Sequence, residues 1–282
     1  MSERRVSLKD FSRASESSSA PLLKWAGGKR WLAPRLVEMI SDLRFRRYFE
    51  PFCDGAALFF QLAPKRAILS DTNVDLINCY QQIKSDPEAV IAALRRFKNS
   101  EQNYYAIRDL SPRVSSRRAA RVLYLTTLAF NGIYRVNLRG EFNVPYGYKL
   151  HLKPCNAERI RAASKVLRHA DLFVADFEDV AAEAASGDLI YFDPPYTVAH
   201  GNNGFLKYNE KILQWEDQVR LARAATAAAE RGCYVVVSNA HHISVLRLYG
   251  YFKIERVTRA SVMAASASNR RMITECLFHN LA

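Results

Sequence analysis

The stretch Asp188-Leu189-Ile190-Tyr191-Phe192-Asp193-Pro194-Pro195-Tyr196 constrains this chain more than any other. Its first half is a short apolar run ending in aromatic residues, the pattern of a buried strand. Pro194 and Pro195 then stop the strand, because neither can donate to a sheet ladder. A carboxylate, two rigid residues and an aromatic ring are thereby held at the carboxyl end of a strand. In open α/β sheets that is where ligands bind.

The chemistry such a loop offers is specific. The exocyclic amine of a nucleobase is a poor nucleophile, because its lone pair is delocalised into the ring. Asp193 and a backbone carbonyl fixed by proline can each accept one of its two N–H hydrogens, which localises the lone pair. Tyr196 offers a face for a flipped base, a contact worth roughly 1–3 kcal/mol. A strand followed by an ordinary Pro-Pro turn accounts for the same four residues, so the motif alone does not decide. The string FDPPY resembles the catalytic motif of amino-methylating DNA methyltransferases that use S-adenosylmethionine. With Asp in first place and the segment order given below, it resembles the Dam-like adenine-N6 group. The resemblance implies Asp193, Pro194, Pro195 and Tyr196 as catalytic residues.

Charge bears on the partner. Lys and Arg number 41 against 28 Asp and Glu, a formal net charge of +13. That favours a polyanion or an anionic membrane surface, although a solvated basic face with no partner also fits. No apolar run approaches the roughly 18 residues that span a bilayer, and the N-terminus has no signal-peptide core. Hydrophobic content of 49% and charged content of 24% are those of an ordinary globular protein. At 282 residues it has room for one domain, or one with an insertion. Five cysteines, odd in number and without a CxxC pair, read as reduced thiols in a cytoplasmic protein. The histidines show no metal spacing, so no metal is expected; His241-His242 reads as a helix start.

Three further strings bear on a cofactor. In Lys24-Trp25-Ala26-Gly27-Gly28-Lys29, the glycines let backbone approach a ligand, Trp25 can cover a flat ring and Lys29 can meet a carboxylate. A loop into a helix near Pro34–Ile40 explains the same residues. Arg47-Tyr48-Phe49-Glu50-Pro51-Phe52, then Cys53-Asp54-Gly55-Ala56-Ala57, reads as strand, small-residue turn and helix start, a cradle for nucleotide-like cofactors. Ala67–Asn73 reads as a second strand ending in Asp71, where a ribose diol is held in doubly wound folds; a helix N-cap by Asp71 or Asn73 is the alternative. KWAGGK and SDTNVDLINCY resemble the family's cofactor segments. By that resemblance Trp25, Lys29, Glu50, Phe52, Gly55, Asp71, Asp176, Phe177 and Asp193 bind S-adenosylmethionine, and Lys24 faces DNA. Asp176 would accept from the adenine amino group, with Phe177 packed on the ring; an N-cap at Asp176 with Phe177 in the core is the alternative. The family's turn is close to F-x-G-x-G; here Asp54 and Ala56 stand in its glycine positions.

Residues 81–150 change character. A helix starting at Asp86-Pro87-Glu88 leads to a basic edge of Arg113, Arg117, Arg118 and Arg121. A buried helix then ends at Asn131-Gly132. Runs 133–138 and 141–146 flank the turn Leu138-Arg139-Gly140 as a β-hairpin. Such a ribbon fits a major groove, where Arg pairs with guanine and Asn with adenine; a plain edge hairpin is the alternative. NGIYRVNLRGEFNVPYG resembles the family's target-reading hairpin. It implies DNA contacts by Asn131, Ile133, Arg135, Asn137, Arg139 and Pro145, with Phe130 entering the base stack.

After residue 155 helices and strands alternate again, with helices at 157–169, 180–186, 214–231 and 241–249. The expected fold is α/β, a doubly wound Rossmann-like methyltransferase sheet with an inserted, mainly helical target-recognition domain carrying a β-hairpin. The expected division is a disordered tail at 1–20, a catalytic domain at 21–80 and 151–282, and a recognition domain at 81–150. Loop 197–213, with Phe205, Lys207 and Tyr208, reads as a lid, and 259–271 as a basic phosphate-contacting segment. The expected partner is double-stranded DNA, with no membrane and no obligatory protein partner; a dimer is compatible. The implied activity is methyl transfer to adenine N6 in a short palindromic duplex site with base flipping, in the cytoplasm of a bacterium or from a phage. Methylation of cytosine N4 or of RNA adenine, and a catalytically weak DNA-binding protein on the same scaffold, are the alternatives.

Overall fold

A computed structural model describes residues 21–23, 25, 27–137, 139–197, 213–260 and 272–282. Expectations for the tail 1–20, Lys24, Phe205, Lys207, Tyr208 and the segment 261–271 lie outside the described residues. The chain divides into two compact units: Met1–Asp42, Asp54–Ala63 and Asn73–Ala170 form one, and Leu43–Cys53, Pro64–Thr72 and Asp171–Ala282 the other.

The first unit is helical, and its helices start where capping chemistry puts them. Helix α1 (Ala33–Ile40) carries Pro34 in its first turn. Helix α2 (Ala57–Leu62) lies between two left-handed residues, Ala56 and Ala63. Asn73 caps α3 (Val74–Ser85) by accepting from the Asp75 and Leu76 amides at 3.1 and 3.0 Å. Asp86 caps α4 (Pro87–Leu94), Ser100 caps α5 (Glu101–Arg108) and Asn156 caps α7 (Ala157–Leu167). Helix α6 (Ser115–Leu128) packs on α3 and α4, and Leu76, Ile77, Tyr80, Leu94 and Tyr124 of these helices are buried. Part of the basic edge is used internally. Arg118 pairs with Asp75 at 2.7 Å, and Arg121 donates to the Ile107 and Arg108 carbonyls.

The second unit holds, among the described residues, one seven-stranded sheet in the order β3-β2-β1-β4-β5-β7-β6. The strands are β1 (Tyr48–Glu50), β2 (Ala67–Asp71), β3 (Ala170–Val174), β4 (Leu189–Phe192), β5 (Tyr234–Ala240), β6 (Lys253–Ala260) and β7 (Met272–His279). Strand β1 pairs parallel with β2 and β4, and β4 with β5, whereas β7 runs antiparallel between β5 and β6. The order reverses between β1 and β4, so the crevice for a ligand lies at their carboxyl ends. Helices α8 (Phe177–Ala182), α9 (Trp215–Glu230) and α10 (Ile243–Leu248) build the core with one face of the sheet, through Phe49, Ile190, Phe192, Val235, Val237, Leu221, Ala225 and Val245. Helix α8 starts three residues earlier than the sequence pattern indicates, because Asp176 caps it by accepting from the Glu178 amide. The start of β4 is pinned by Asp188, which is buried and accepts from Arg47 Nη2 at 2.6 Å and from the Ala185 amide at 3.0 Å.

Candidate active site

Six of the residues implicated in cofactor binding fall in the second unit, at the carboxyl ends of four strands. Glu50 ends β1, with Phe52 just beyond it; Asp71 ends β2; Asp176 and Phe177 follow β3; Asp193 follows β4. Glu50 is buried and accepts from the Tyr48 hydroxyl at 2.9 Å. Asp71 does not cap α3, since Asn73 does; the Asp71 carbonyl accepts from the Ala175 amide at 3.3 Å. Asp176 combines two roles on one oxygen. Its Oδ1 accepts from the Glu178 amide and from Arg220 Nη2, both at 2.9 Å. Phe177 is buried, stacked on Phe52 with centroids 5.2 Å apart, and Arg220 lies over its ring.

The FDPPY loop is held by residues that the motif does not contain. Phe192 is level with Val237 in the parallel β4–β5 ladder, so Asp193 comes beside Ser238. Ser238 Oγ lies 2.6 Å from Asp193 Oδ1 and 3.2 Å from the Tyr191 hydroxyl. A carboxylate only accepts, so Ser238 donates to Asp193 and accepts from Tyr191. The Pro195 carbonyl accepts from Gln218 Nε2 at 3.1 Å, and Gln218 Oε1 in turn accepts from Asn239 Nδ2 at 2.9 Å. The Tyr196 hydroxyl donates to Glu275 Oε2 at 2.6 Å. Burial, and next Glu275, push the Tyr196 phenol well above its ordinary pKa, so it is held as a neutral donor. Sequence analysis assigns Ser238, Asn239, Gln218 and Glu275 no part in the site. The available signal was polarity out of place: Ser238-Asn239 after three valines, and Glu275 within an apolar strand.

The first unit carries Trp25, Lys29 and Gly55. Trp25 stacks on Tyr134 of the hairpin, with centroids 4.7 Å apart and an interplanar angle of 14°. Lys29 is buried. In the small-residue turn, Asp54 and Ala56 both adopt left-handed backbone, with φ of 43° and 49°. These are the two positions where the family pattern has glycine. Left-handed backbone, which glycine takes freely, is thus adopted by Asp54 and Ala56, and Tyr80 ties the turn down by donating to the Asp54 carbonyl at 2.8 Å.

The hairpin is anchored at its base. The Phe130 amide donates to the Pro145 carbonyl at 2.9 Å, and the Gly147 amide to Leu128 at 2.8 Å. A Cβ at Gly147 would meet the Leu128 and Ala129 carbonyl oxygens at 2.8 Å, so only glycine fits there. Its arms are joined by isolated bridges, Ala129 to Tyr146 and Val136 to Phe142, rather than by continuous strands. Asn137 builds the tip: its Oδ1 accepts from the Arg139 and Glu141 amides, and its Nδ2 donates to Glu141 Oε2. Phe142, Val144 and Tyr146 face inward and are buried, whereas Asn131, Arg135, Arg139 and Pro145 are exposed and Ile133 is half-buried. Arg135 is braced across the ribbon, its Nε donating to Asn143 Oδ1 at 2.8 Å. Phe130, a large apolar ring, is 53% exposed. Asn131 takes left-handed backbone at φ 53°.

Comparison with known proteins gives a consistent picture. A family model described as D12 class N6 adenine-specific DNA methyltransferase matches residues 25–263. The chain is 37% identical over 270 residues to the type II methyltransferase M1.LlaDCHI of Lactococcus lactis subsp. cremoris, covering 92% of this chain and 95% of that one. It is 32% identical over 263 residues to the DNA adenine methylase of Escherichia coli K12, covering 90% and 93%. To the type II methyltransferase M.MjaIII of Methanocaldococcus jannaschii it is 30% identical over 274 residues, covering 89% and 95%. The motif, the strand order and these relatives agree: the chain belongs to the D12 class of N6 adenine-specific DNA methyltransferases.

Proposed function

We propose that this chain methylates adenine N6 in a short palindromic duplex site, using S-adenosylmethionine and a base rotated out of the helix, with Asp193 as the residue that activates the amine. The observation that carries this is the division of labour in the FDPPY loop. The Pro195 carbonyl is occupied by Gln218, and among the described residues the Pro194 carbonyl makes no hydrogen bond. Asp193 and the Pro194 carbonyl are then the two acceptors for the two amine hydrogens. As N6 bonds to the methyl carbon it gains positive charge, which the Asp193 carboxylate would stabilise, and Asp193 would take the proton that N6 sheds. Tyr196, anchored by its hydroxyl on Glu275, presents a ring of fixed orientation to the flipped base. Rotation of the base is required because the amine is otherwise paired and inside the stack.

The donor set supports the cofactor. Acids close β1 and β2 and follow β3 and β4, and such acceptors suit a molecule bearing an ammonium, a ribose diol and an amino-purine. Glu50, Phe52, Asp71, Asp176 and Phe177 of the second unit would hold it, and the family resemblance alone adds Trp25, Lys29 and Gly55; when bound, it supplies an electrophilic methyl on a sulfonium. The exposed hairpin residues Asn131, Arg135, Arg139 and Pro145, with Ile133 and Asn137, would read the duplex, and Phe130 would fill the stack. A DNA substrate and bacterial and phage relatives support action in the cytoplasm. The test is Asp193→Ala. Methyl transfer to duplex DNA should fall at least about 100-fold, the usual loss for one preorganised electrostatic group, with DNA binding retained. A folded Asp193→Ala protein that keeps a tenth of its turnover would remove Asp193 from the chemistry.

A further inference from the structure

We propose that the two adjacent polar residues closing β5, Ser238 and Asn239, are positioning residues that grip the FDPPY loop from the two faces of the sheet. Successive side chains of a strand point to opposite faces. Ser238 shares a face with Tyr191 and Glu275, and Asn239 shares the other with Val235, Val237 and helix α9. Both are fully buried. On one face Ser238 donates to Asp193 Oδ1 at 2.6 Å, with the Tyr191 hydroxyl behind it at 3.2 Å. On the other, the Ala240 amide donates to Asn239 Oδ1 at 2.8 Å, which turns Nδ2 toward Gln218, and Gln218 Nε2 reaches the Pro195 carbonyl at 3.1 Å. The first contact sets the rotamer of the carboxylate. The second rotates the Pro195 peptide so that its carbonyl is held away from the acceptor role.

Polar groups buried in a valine strand are costly unless bonded. Here their bonds run to the two ends of one catalytic loop, although apolar residues would complete the strand more cheaply. Two proline residues cannot anchor themselves to a sheet, because they have no N–H. The loop therefore depends on side chains of the neighbouring strand for its position. This inference rests on the assignment of Asp193 to catalysis.

The experiment is a comparison of Ser238→Ala and Ser238→Thr in the full chain. Ser238→Ala should lower kcat at least tenfold, with the KM for DNA and the calorimetric affinity for S-adenosylmethionine within twofold of the parent. A hydrogen bond to the charged form lowers a carboxylate's pKa, so its loss should move the acid limb of the kcat profile to higher pH. Ser238→Thr, which keeps the hydroxyl, should restore most of kcat. Tyr191→Phe removes the hydroxyl behind Ser238 and Gln218→Met removes the link from Asn239 to the Pro195 carbonyl, both without altering β5, and each should lower kcat at least threefold. They serve as the test should Ser238→Ala not fold. An unchanged kcat with an unmoved acid limb in these variants overturns the proposal. Asp193→Ala separates the two readings: if it is inactive while Ser238→Ala is fully active, only the positioning role fails, and if it is active, the catalytic assignment fails.

Discussion

Replacing Arg135 by alanine should make one base pair of the target site permissive. Arg135 lies on the first arm of the hairpin, exposed, two residues from Ile133 and on the same side of the ribbon. A bidentate Arg–guanine contact discriminates by roughly 1–3 kcal/mol per base pair, or about 5- to 150-fold. The structure adds a second term. Arg135 Nε donates to Asn143 Oδ1 at 2.8 Å, so the guanidinium is already oriented before DNA arrives. Immobilising such a side chain on binding costs roughly 0.5–1.5 kcal/mol. Asn143→Ala should therefore slow the cognate site by about 2- to 10-fold, on the same scale. Because that loss acts through Arg135, the double variant should be no worse than Arg135→Ala alone. The assay is the methylation rate at fixed salt on duplexes that each carry one substituted base pair. If Arg135→Ala slows every duplex by one factor and lowers the salt slope by about one, it contacts phosphate and the reasoning fails. Additive losses in the double variant would show that Asn143 does not act through Arg135.

Asp71→Ala should weaken S-adenosylmethionine binding by roughly 1–3 kcal/mol in calorimetry, the loss of an acceptor from a buried hydroxyl; an unchanged dissociation constant would leave Asp71 no cofactor role. Ala63 and Ala56 both sit at left-handed φ, 44° and 49°, but Ala63 is exposed and Ala56 is buried. Left-handed backbone costs an alanine roughly 1–2 kcal/mol, and glycine's extra freedom in the unfolded chain offsets roughly 0.4–1 of any relief. Ala63→Gly should raise stability by about 0.5–1 kcal/mol, whereas Ala56→Gly also loses a buried methyl worth about 0.8 and should be near neutral; equal shifts of the urea midpoints would refute this. Burial raises the Tyr48 and Tyr196 phenols well above the ordinary value. Their neutral forms stabilise the fold fully below about pH 10, and that stability is lost as pH rises through the folded-state values. In an alkaline titration by phenolate absorbance, Tyr196→Phe should therefore lack only signal that appears on unfolding.

The sheet and its active loop were legible in the sequence because local rules govern them. Apolar runs marked β1, β2 and β4 to within two residues, and Pro194-Pro195 ended β4 without need of context. Asn73 and Asp86 start helices for the same local reason, an oxygen that satisfies an orphan amide. The small-residue turn departed from the glycine pattern, and only the backbone angles revealed that Asp54 and Ala56 are both left-handed. The basic edge illustrates the opposite case: four arginines look alike in sequence, yet Arg118 and Arg121 are committed to Asp75 and to backbone carbonyls.

What the sequence determined by itself, therefore, is local: the FDPPY loop, the strand that presents it and the hairpin proposed to read a duplex all follow from residues adjacent in the chain. What only the tertiary structure decided is how those residues are held. Ser238 meets Asp193 across 45 residues, and Tyr196 meets Glu275 across 79. Such pairs are set by strand order and register, by β5 lying beside β4 and β7 beside β5. Order and register are fixed by how apolar faces pack between strands and helices distant in sequence, and no single stretch of the chain carries that information.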